Sequence, residues 1–113
     1  MVKLPKTYGA VDLGTNNCRL LIAQPSGEGF RVITSYSRIV RLGEGLLRNE
    51  CLSASAMNRT IQALRICSEK LAKFNVVRSR SIATEACRRA KNCHEFFSKI
   101  KRNTGLSMEI ITS

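Results

Sequence analysis

The chain has 113 residues, 43% of them apolar, and its 19 Lys and Arg against 8 Asp and Glu give a net charge of +11. This length supports one hydrophobic core of ordinary domain size. The longest apolar run, Leu20 to Ala23, is far below the roughly 20 residues that cross a bilayer, and the first residues lack an apolar signal region, so we expect a cytoplasmic protein without a membrane partner.

The cysteines predict neither a zinc site nor a disulfide framework. They form no C-x-x-C pair, and the only histidine, His94, is adjacent to just one of them. We therefore expect small buried thiols in a reducing compartment. The five are Cys18, Cys51, Cys67, Cys87 and Cys93.

The chain opens with three predicted antiparallel strands. Thr7 to Leu13 and Cys18 to Gln24 are apolar, and the hairpin turn from Gly14 to Asn17 between them contains Gly and Asn, which tolerate the positive φ that a tight hairpin demands. Pro25 to Gly29 predicts a second turn, and the alternation from Phe30 to Arg41 predicts a third strand.

A long helix follows the three strands. The glycines at 43 and 45 end the third strand, and Leu46 to Leu52 is a loop or short turn. Ser53 is a good N-cap, the helix runs to about Phe74, and Asn75 ends it. The apolar positions that predict this helix are Met57, Ile61, Leu64, Cys67, Leu71 and Phe74.

The remaining elements alternate between strand and helix. Arg80 to Thr84 is a short strand, Glu85 to Lys91 is a turn or so of helix, and Asn92 caps a helix that stops at Gly105. Met108 to Thr112 is the last strand. The order β-β-β-α-β-α-β predicts an α/β fold with a mixed sheet and right-handed crossovers, the ribonuclease-H-like half-domain of actin, Hsp70 and sugar kinases, with residues 1–113 as a single lobe.

One hairpin carries residues suited to phosphate chemistry. Gly14 leaves the backbone uncovered, so successive N–H groups can approach phosphate oxygens, while Thr15 and the asparagines after it add neutral donors. Asp12 could hold Mg²⁺, which prefers one or two carboxylates together with phosphate oxygens and waters. The same string could also be an ordinary turn.

Four ordered motifs resemble the Ppx/GppA phosphatase family, whose members are exopolyphosphatases and guanosine pentaphosphate phosphohydrolases. The string Tyr8 to Ile22 is similar to the family's first phosphate motif. The strings Arg38 to Leu46, Leu52 to Met57 and Ala83 to Asn92 match the family in order and spacing. The resemblance implies a homodimeric parent enzyme that uses Mg²⁺ to release terminal phosphate from inorganic polyphosphate or to convert pppGpp to ppGpp.

The resemblance also implies roles for particular residues. Asp12 would bind the metal, and Arg88, with Arg41 as a weaker candidate, would grip the substrate's phosphates. The phosphate-binding residues of the hairpin would be Gly14, Thr15, Asn16 and Asn17.

Two departures from the family pattern bear on this interpretation. Where the family has a glycine before the long helix, this chain has Glu50. The family's catalytic Glu follows the strand that begins at Met108, in a string expected just past Ser113, so we expect a truncated amino-terminal lobe that is inactive alone. No other carboxylate has a sequence context that favours a catalytic base; those considered are Glu44, Glu85 and Glu109.

The charge is concentrated in one segment and leaves two alternatives. Residues 59–102 contain twelve basic and three acidic residues, which predicts an anionic partner. One alternative is a fragment of an acetate-kinase-like or sugar-kinase-like protein, which ATP binding would reveal. The other is a nucleic-acid-binding module, although aromatic residues make up only 5% of the chain and no finger or helix-turn-helix spacing is present.

Overall fold

A computed structural model describes residues 5–111, which fold around one five-stranded mixed sheet. The predicted order of strands and helices is confirmed, and Leu46–Asn49 and Glu85–Arg89 are short helices within it. Thr112, predicted to end the last strand, lies outside the described residues. The elements are β1 (Tyr8–Leu13), β2 (Asn17–Ser26), β3 (Gly29–Ile39), α1 (Leu46–Asn49), α2 (Ala54–Lys73), β4 (Arg78–Ala83), α3 (Glu85–Arg89), α4 (Cys93–Thr104) and β5 (Met108–Ile110).

The strand order β3-β2-β1-β4-β5 brings the ends of several strands together at one end of the sheet. β1, β2 and β3 are antiparallel neighbours, while β1, β4 and β5 are parallel, so the carboxyl ends of these three lie together beside the β1–β2 hairpin. The alternation of each strand points Val11, Leu13 and Leu20 into the core, where Leu64 of α2 and Phe96 of α4 cover them. The opposite face of the sheet is left open within residues 5–111.

β2 and β3 extend further than the sequence predicted. They pair as far as Ser26 and Gly29, so the predicted five-residue turn shrinks to Gly27 and Glu28. β1 begins at Tyr8, opposite Ala23, so Pro25 needs no partner on that side of the ladder and its missing N–H is tolerated. Within residues 5–111, no helix is both long and apolar enough to cross a membrane.

The predicted helix ends are largely confirmed. The Ser53 hydroxyl accepts the N–H of Ala56 at 3.1 Å and caps α2. Asn75 and Gly105, which follow α2 and α4, adopt φ of 52° and 80°. The buried positions of α2 include five of the six that predicted the helix, and Phe74 is its half-buried C-cap.

Asn92 occupies the predicted N-cap position of α4, but its side chain forms no hydrogen bond to the helix. Its amide oxygen accepts the N–H of Leu52 at 2.8 Å, and its amide nitrogen donates to the carbonyl of Leu52 at 3.0 Å. Leu52 is buried, so its backbone groups need these partners. The Asn92 side chain therefore joins the start of α4 to the segment that precedes α2.

Glu50 keeps a left-handed conformation at the position where the family pattern has glycine. Its φ is 60°, and Lys91 holds it through a backbone hydrogen bond of 3.0 Å to its carbonyl and an ion pair of 2.6 Å to its carboxylate. A left-handed φ is costly for a residue with a Cβ atom, and these two contacts favour it.

The expected burial of the thiols is confirmed for four of the five cysteines, and Cys51 is half-buried. The Sγ atoms of Cys18 and Cys67 lie 4.0 Å apart in the core between β2 and α2. Burial raises the pKa of the Cys87 thiol to about 12. All five thiols are free.

The Asn92→Ala substitution is expected to destabilise the protein by about 1–3 kcal/mol, because it leaves the backbone groups of Leu52 without partners inside the fold. Asn103→Ala is the matched control, since the Asn103 amide makes an exposed bond to the Lys99 carbonyl. Urea unfolding followed by circular dichroism measures both. Equal stabilities for the two variants would contradict this role for Asn92.

Candidate functional site

The hairpin turn Gly14–Asn17 is attached to the segment that follows β3. The Asn16 carbonyl accepts N–H groups from Val40 at 2.8 Å and Arg41 at 3.0 Å, and the Thr15 carbonyl accepts that of Gly43 at 3.0 Å. Val40 and Arg41 therefore leave β3, which ends at Ile39 instead of the predicted Arg41. Within residues 5–111 the side chains of Thr15, Asn16 and Asn17 form no hydrogen bond. Their hydroxyl and amide donors are therefore available to a ligand.

The expected positive φ in this turn is wrong. No residue from Gly14 to Asn17 has one, and the left-handed residue at this end of the sheet is Arg41, with φ of 48°. The turn closes through a bond of 2.9 Å from the Gly14 N–H to the Asn17 carbonyl, and the bonds to residues 40–43 fix its path. The Gly14 N–H is consequently not free to bind phosphate, although the sequence had suggested that it would be.

Gly43 is required for the close approach of these two segments. A Cβ atom built on Gly43 would lie 2.5 Å from the Cγ2 methyl group of Thr15. Any larger residue would force the Thr15 side chain to rotate and move its hydroxyl group.

The end of β1 and the start of α3 meet on the other side of the turn. The Thr84 N–H donates to the Leu13 carbonyl at 3.1 Å, and the Arg88 N–H donates to the Thr84 carbonyl at 3.2 Å. These bonds put Arg88 one helical turn beyond a residue that touches the end of β1. No hydrogen bond or ion pair joins the Arg88 side chain to the hairpin within the described part of the chain.

The Glu85 carboxylate pairs with two arginine side chains. Its carboxylate forms ion pairs with Arg88 and, at 2.7 Å, with Arg89. The hydrogen bond and charge of Arg88, followed by the charge of Arg89, lower the pKa of Glu85 below its ordinary value. A lowered pKa is the opposite of what a general base at neutral pH requires.

The other two carboxylates considered as bases are also paired with arginine. Glu44 lies 2.7 Å from Arg59, and Glu109 pairs with Arg80. Both pairs are exposed to solvent, so neither carboxylate lies in apolar surroundings.

Asp12 lies on the open face of the sheet, at the carboxyl end of β1. It is in register with Arg19 and Ile82 on the neighbouring strands. These three residues and Tyr36 line a cavity of about 530 Å³. No group of three potential metal-ligating side chains occurs in residues 5–111. Asp12 therefore suits Mg²⁺ only as a single carboxylate ligand, with phosphate oxygens and waters completing the shell.

Arg59 is a positioning residue that the sequence analysis missed. Its guanidinium donates to the Val40 carbonyl at 3.0 Å and to the Arg41 carbonyl at 3.4 Å, and it pairs with Glu44. Arg41, Glu44 and Arg59 line a cavity of about 340 Å³. The sequence shows Arg59 only as a cation within the first two turns of an amphipathic helix. It does not show which carbonyl groups the Arg59 side chain reaches.

A family model and several solved structures are similar to this chain. A family model described as "Ppx/GppA phosphatase family" matches residues 21–113. A structure of the Aquifex aeolicus Ppx/GppA phosphatase is 36% identical with a TM-score of 0.90, and the match covers 95% of this chain and 36% of that one. An exopolyphosphatase from Cytophaga hutchinsonii is 25% identical with a TM-score of 0.89, over 94% of this chain and 34% of that one.

These matches confirm the predicted α/β fold of the actin and Hsp70 type. The chain spans about a third of the length of the structures it matches.

Gly14→Ala tests the hairpin as a phosphate site without disturbing the fold. A Cβ atom at Gly14 would lie 3.6 Å from the Asn17 carbonyl and 4.0 Å from the Thr84 hydroxyl, which are ordinary contacts. We expect an unchanged melting temperature but about tenfold weaker tripolyphosphate binding, since the methyl group occupies space beside the phosphate. Gly29→Ala, where a Cβ would meet nothing within 4 Å, is the control. Unchanged binding in Gly14→Ala would exclude close phosphate approach there.

Proposed function

The chain belongs to the Ppx/GppA phosphatase family, and we propose that it forms the phosphate-binding lobe of an enzyme that hydrolyses terminal phosphoanhydride bonds of inorganic polyphosphate or pppGpp. The observation that carries the proposal is the hairpin turn held between the segment 40–43 and the start of α3. A turn with neutral donors, a carboxylate that could hold Mg²⁺ and an arginine lie on these segments or on the adjoining end of β1.

The hairpin residues would bind the terminal phosphate of the substrate. Thr15 and Asn16 have side-chain donors that no described residue occupies, and their carbonyls are held by Val40, Arg41 and Gly43. The held backbone limits where these side chains can lie, which lowers the conformational entropy lost on binding, and their donors would stabilise charge that develops on the phosphate oxygens.

Asp12 and Arg88 would supply the charged contacts. Asp12 would hold Mg²⁺, and the metal supplies charge neutralisation on the phosphate oxygens when it is bound. Arg88 must exchange its contact with Glu85 for one with phosphate, or share its guanidinium between them. Its five N–H donors permit such sharing.

The base that orients the attacking water is proposed to lie outside residues 5–111. Glu44, Glu85 and Glu109 are each engaged by arginine, and the pKa of Glu85 is lowered. We also propose a cytoplasmic location, because five free thiols suit a reducing compartment.

Substitutions at two positions separate the charged contact from the neutral one. Arg88→Ala is expected to weaken tripolyphosphate binding by about 10- to 150-fold, and Thr15→Ala by about 5- to 15-fold, because charge-assisted hydrogen bonds are the stronger. Isothermal titration measures both. Arg31→Ala, a cation at the far end of β3 bonded to Gln24, is the control. Wild-type affinity in Arg88→Ala would remove Arg88 from the site.

The 113-residue polypeptide is expected to bind polyphosphate without hydrolysing it. The three carboxylates considered as bases, Glu44, Glu85 and Glu109, are each engaged by arginine, and general-base catalysis contributes about 10²- to 10⁴-fold. Release of orthophosphate in the presence of Mg²⁺ measures this. Magnesium-dependent release that Glu44→Gln, Glu85→Gln or Glu109→Gln abolishes would place the base within these residues.

A further inference from the structure

Ion pairing divides the twelve cations of residues 59–102 into two groups. Five of them pair with carboxylates, namely Arg59, Arg80, Arg88, Arg89 and Lys91. The other seven form no ion pair within residues 5–111: Arg65, Lys70, Lys73, Arg78, Lys99, Lys101 and Arg102.

Most of the second group lies at the end of the molecule away from the hairpin. Lys73 ends α2, and Arg78 begins β4, whose other end reaches the hairpin. The last turn of α4, which contains Lys101 and Arg102, packs against α2 through a bond of 2.7 Å from the Ser68 hydroxyl to the Thr104 carbonyl. α2 has 20 residues, so about 30 Å separate its two ends. We call Lys70, Lys73, Lys101 and Arg102 the distal basic surface. Arg78 is left out because Ser79 and Ser81 face the helices, which puts the Arg78 side chain on the open face of the sheet.

Little on the two helices offsets this charge or suits a nucleobase. Their acidic residues are Glu69 and Glu95, and only Glu69 lies within one turn of the cations of the distal basic surface. The aromatic side chains nearby are buried or half-buried, and Lys73 lies over the Phe74 ring at 5.8 Å. Recognition here would depend on charge and not on stacking.

We propose that the distal basic surface binds the body of a linear polyphosphate whose end occupies the hairpin. This inference rests on the proposed function. α2 connects the two places, since Arg59 near its start bonds the carbonyls of Val40 and Arg41, and its far end carries Lys70 and Lys73. Short substrates reach only the hairpin, whereas long polymers engage both places, and the linkage raises their apparent affinity.

The test compares two double variants that lower the net charge equally. Lys73→Gln/Arg102→Gln removes two cations of the distal basic surface. Arg78→Gln/Arg80→Gln removes two from β4, on the open face of the sheet. For the first, we expect long-chain polyphosphate to bind about 3- to 30-fold more weakly while tripolyphosphate is unaffected. For the second, both ligands should bind within about twofold of wild type. Melting temperatures confirm that both variants fold.

Each contrary result overturns a distinct statement. Unchanged long-chain binding in the first variant, or an equal loss for tripolyphosphate, overturns the distal basic surface. A single-stranded uridine homopolymer of equal charge that binds wild type as tightly, and loses as much in the first variant, would identify a general nucleic-acid surface instead. If tripolyphosphate does not bind wild type at all, the proposed function fails, and the long-chain comparison still decides the distal basic surface.

Discussion

The carbonyl groups of Thr15 and Asn16 organise the candidate site, because three backbone N–H groups of the segment 40–43 converge on them. These bonds end β3 at Ile39, hold Arg41 at a left-handed φ, and draw Gly43 so close to Thr15 that a Cβ atom is excluded. Arg59 then anchors the same segment to α2. The hairpin is therefore shaped by tertiary contacts and not by the intrinsic preferences of its own four residues.

This dependence explains which parts of the fold the sequence could predict. Helix α2 followed from its apolar spacing, and the order of strands followed from alternation and turn residues, since both are local patterns with a strong period. The conformation of the hairpin did not follow, because Gly14 and Asn16 permit a positive φ but do not require it. The partner of the Asn92 side chain was likewise not predicted, because Leu52 is forty residues away along the chain.

The charges of the site could also be predicted only in part from the sequence. Net charge and its concentration in residues 59–102 are visible in the sequence, whereas the choice of partner depends on the fold. Glu85 engages Arg88 and Arg89 through helical spacing, which the sequence permits one to anticipate. Arg59 meets Glu44 only because α2 packs beside the end of β3. The pairing near the hairpin, and the cations far from it that form no ion pair within residues 5–111, are consequently properties of the folded chain.

The residues on both sides of helix α3 are hydrogen-bonded to distant parts of the chain. These bonds determine how the helix can unfold locally. Thr84 is bonded to Leu13 before it, while Lys91 and Asn92 are bonded to Glu50 and Leu52 after it. A five-residue helix would fray readily by itself. Because its ends are joined to β1 and to the segment before α2, its amides should exchange with deuterated solvent through a larger cooperative opening. The backbone that carries Arg88 would then have the exchange behaviour of the sheet and not that of a surface loop.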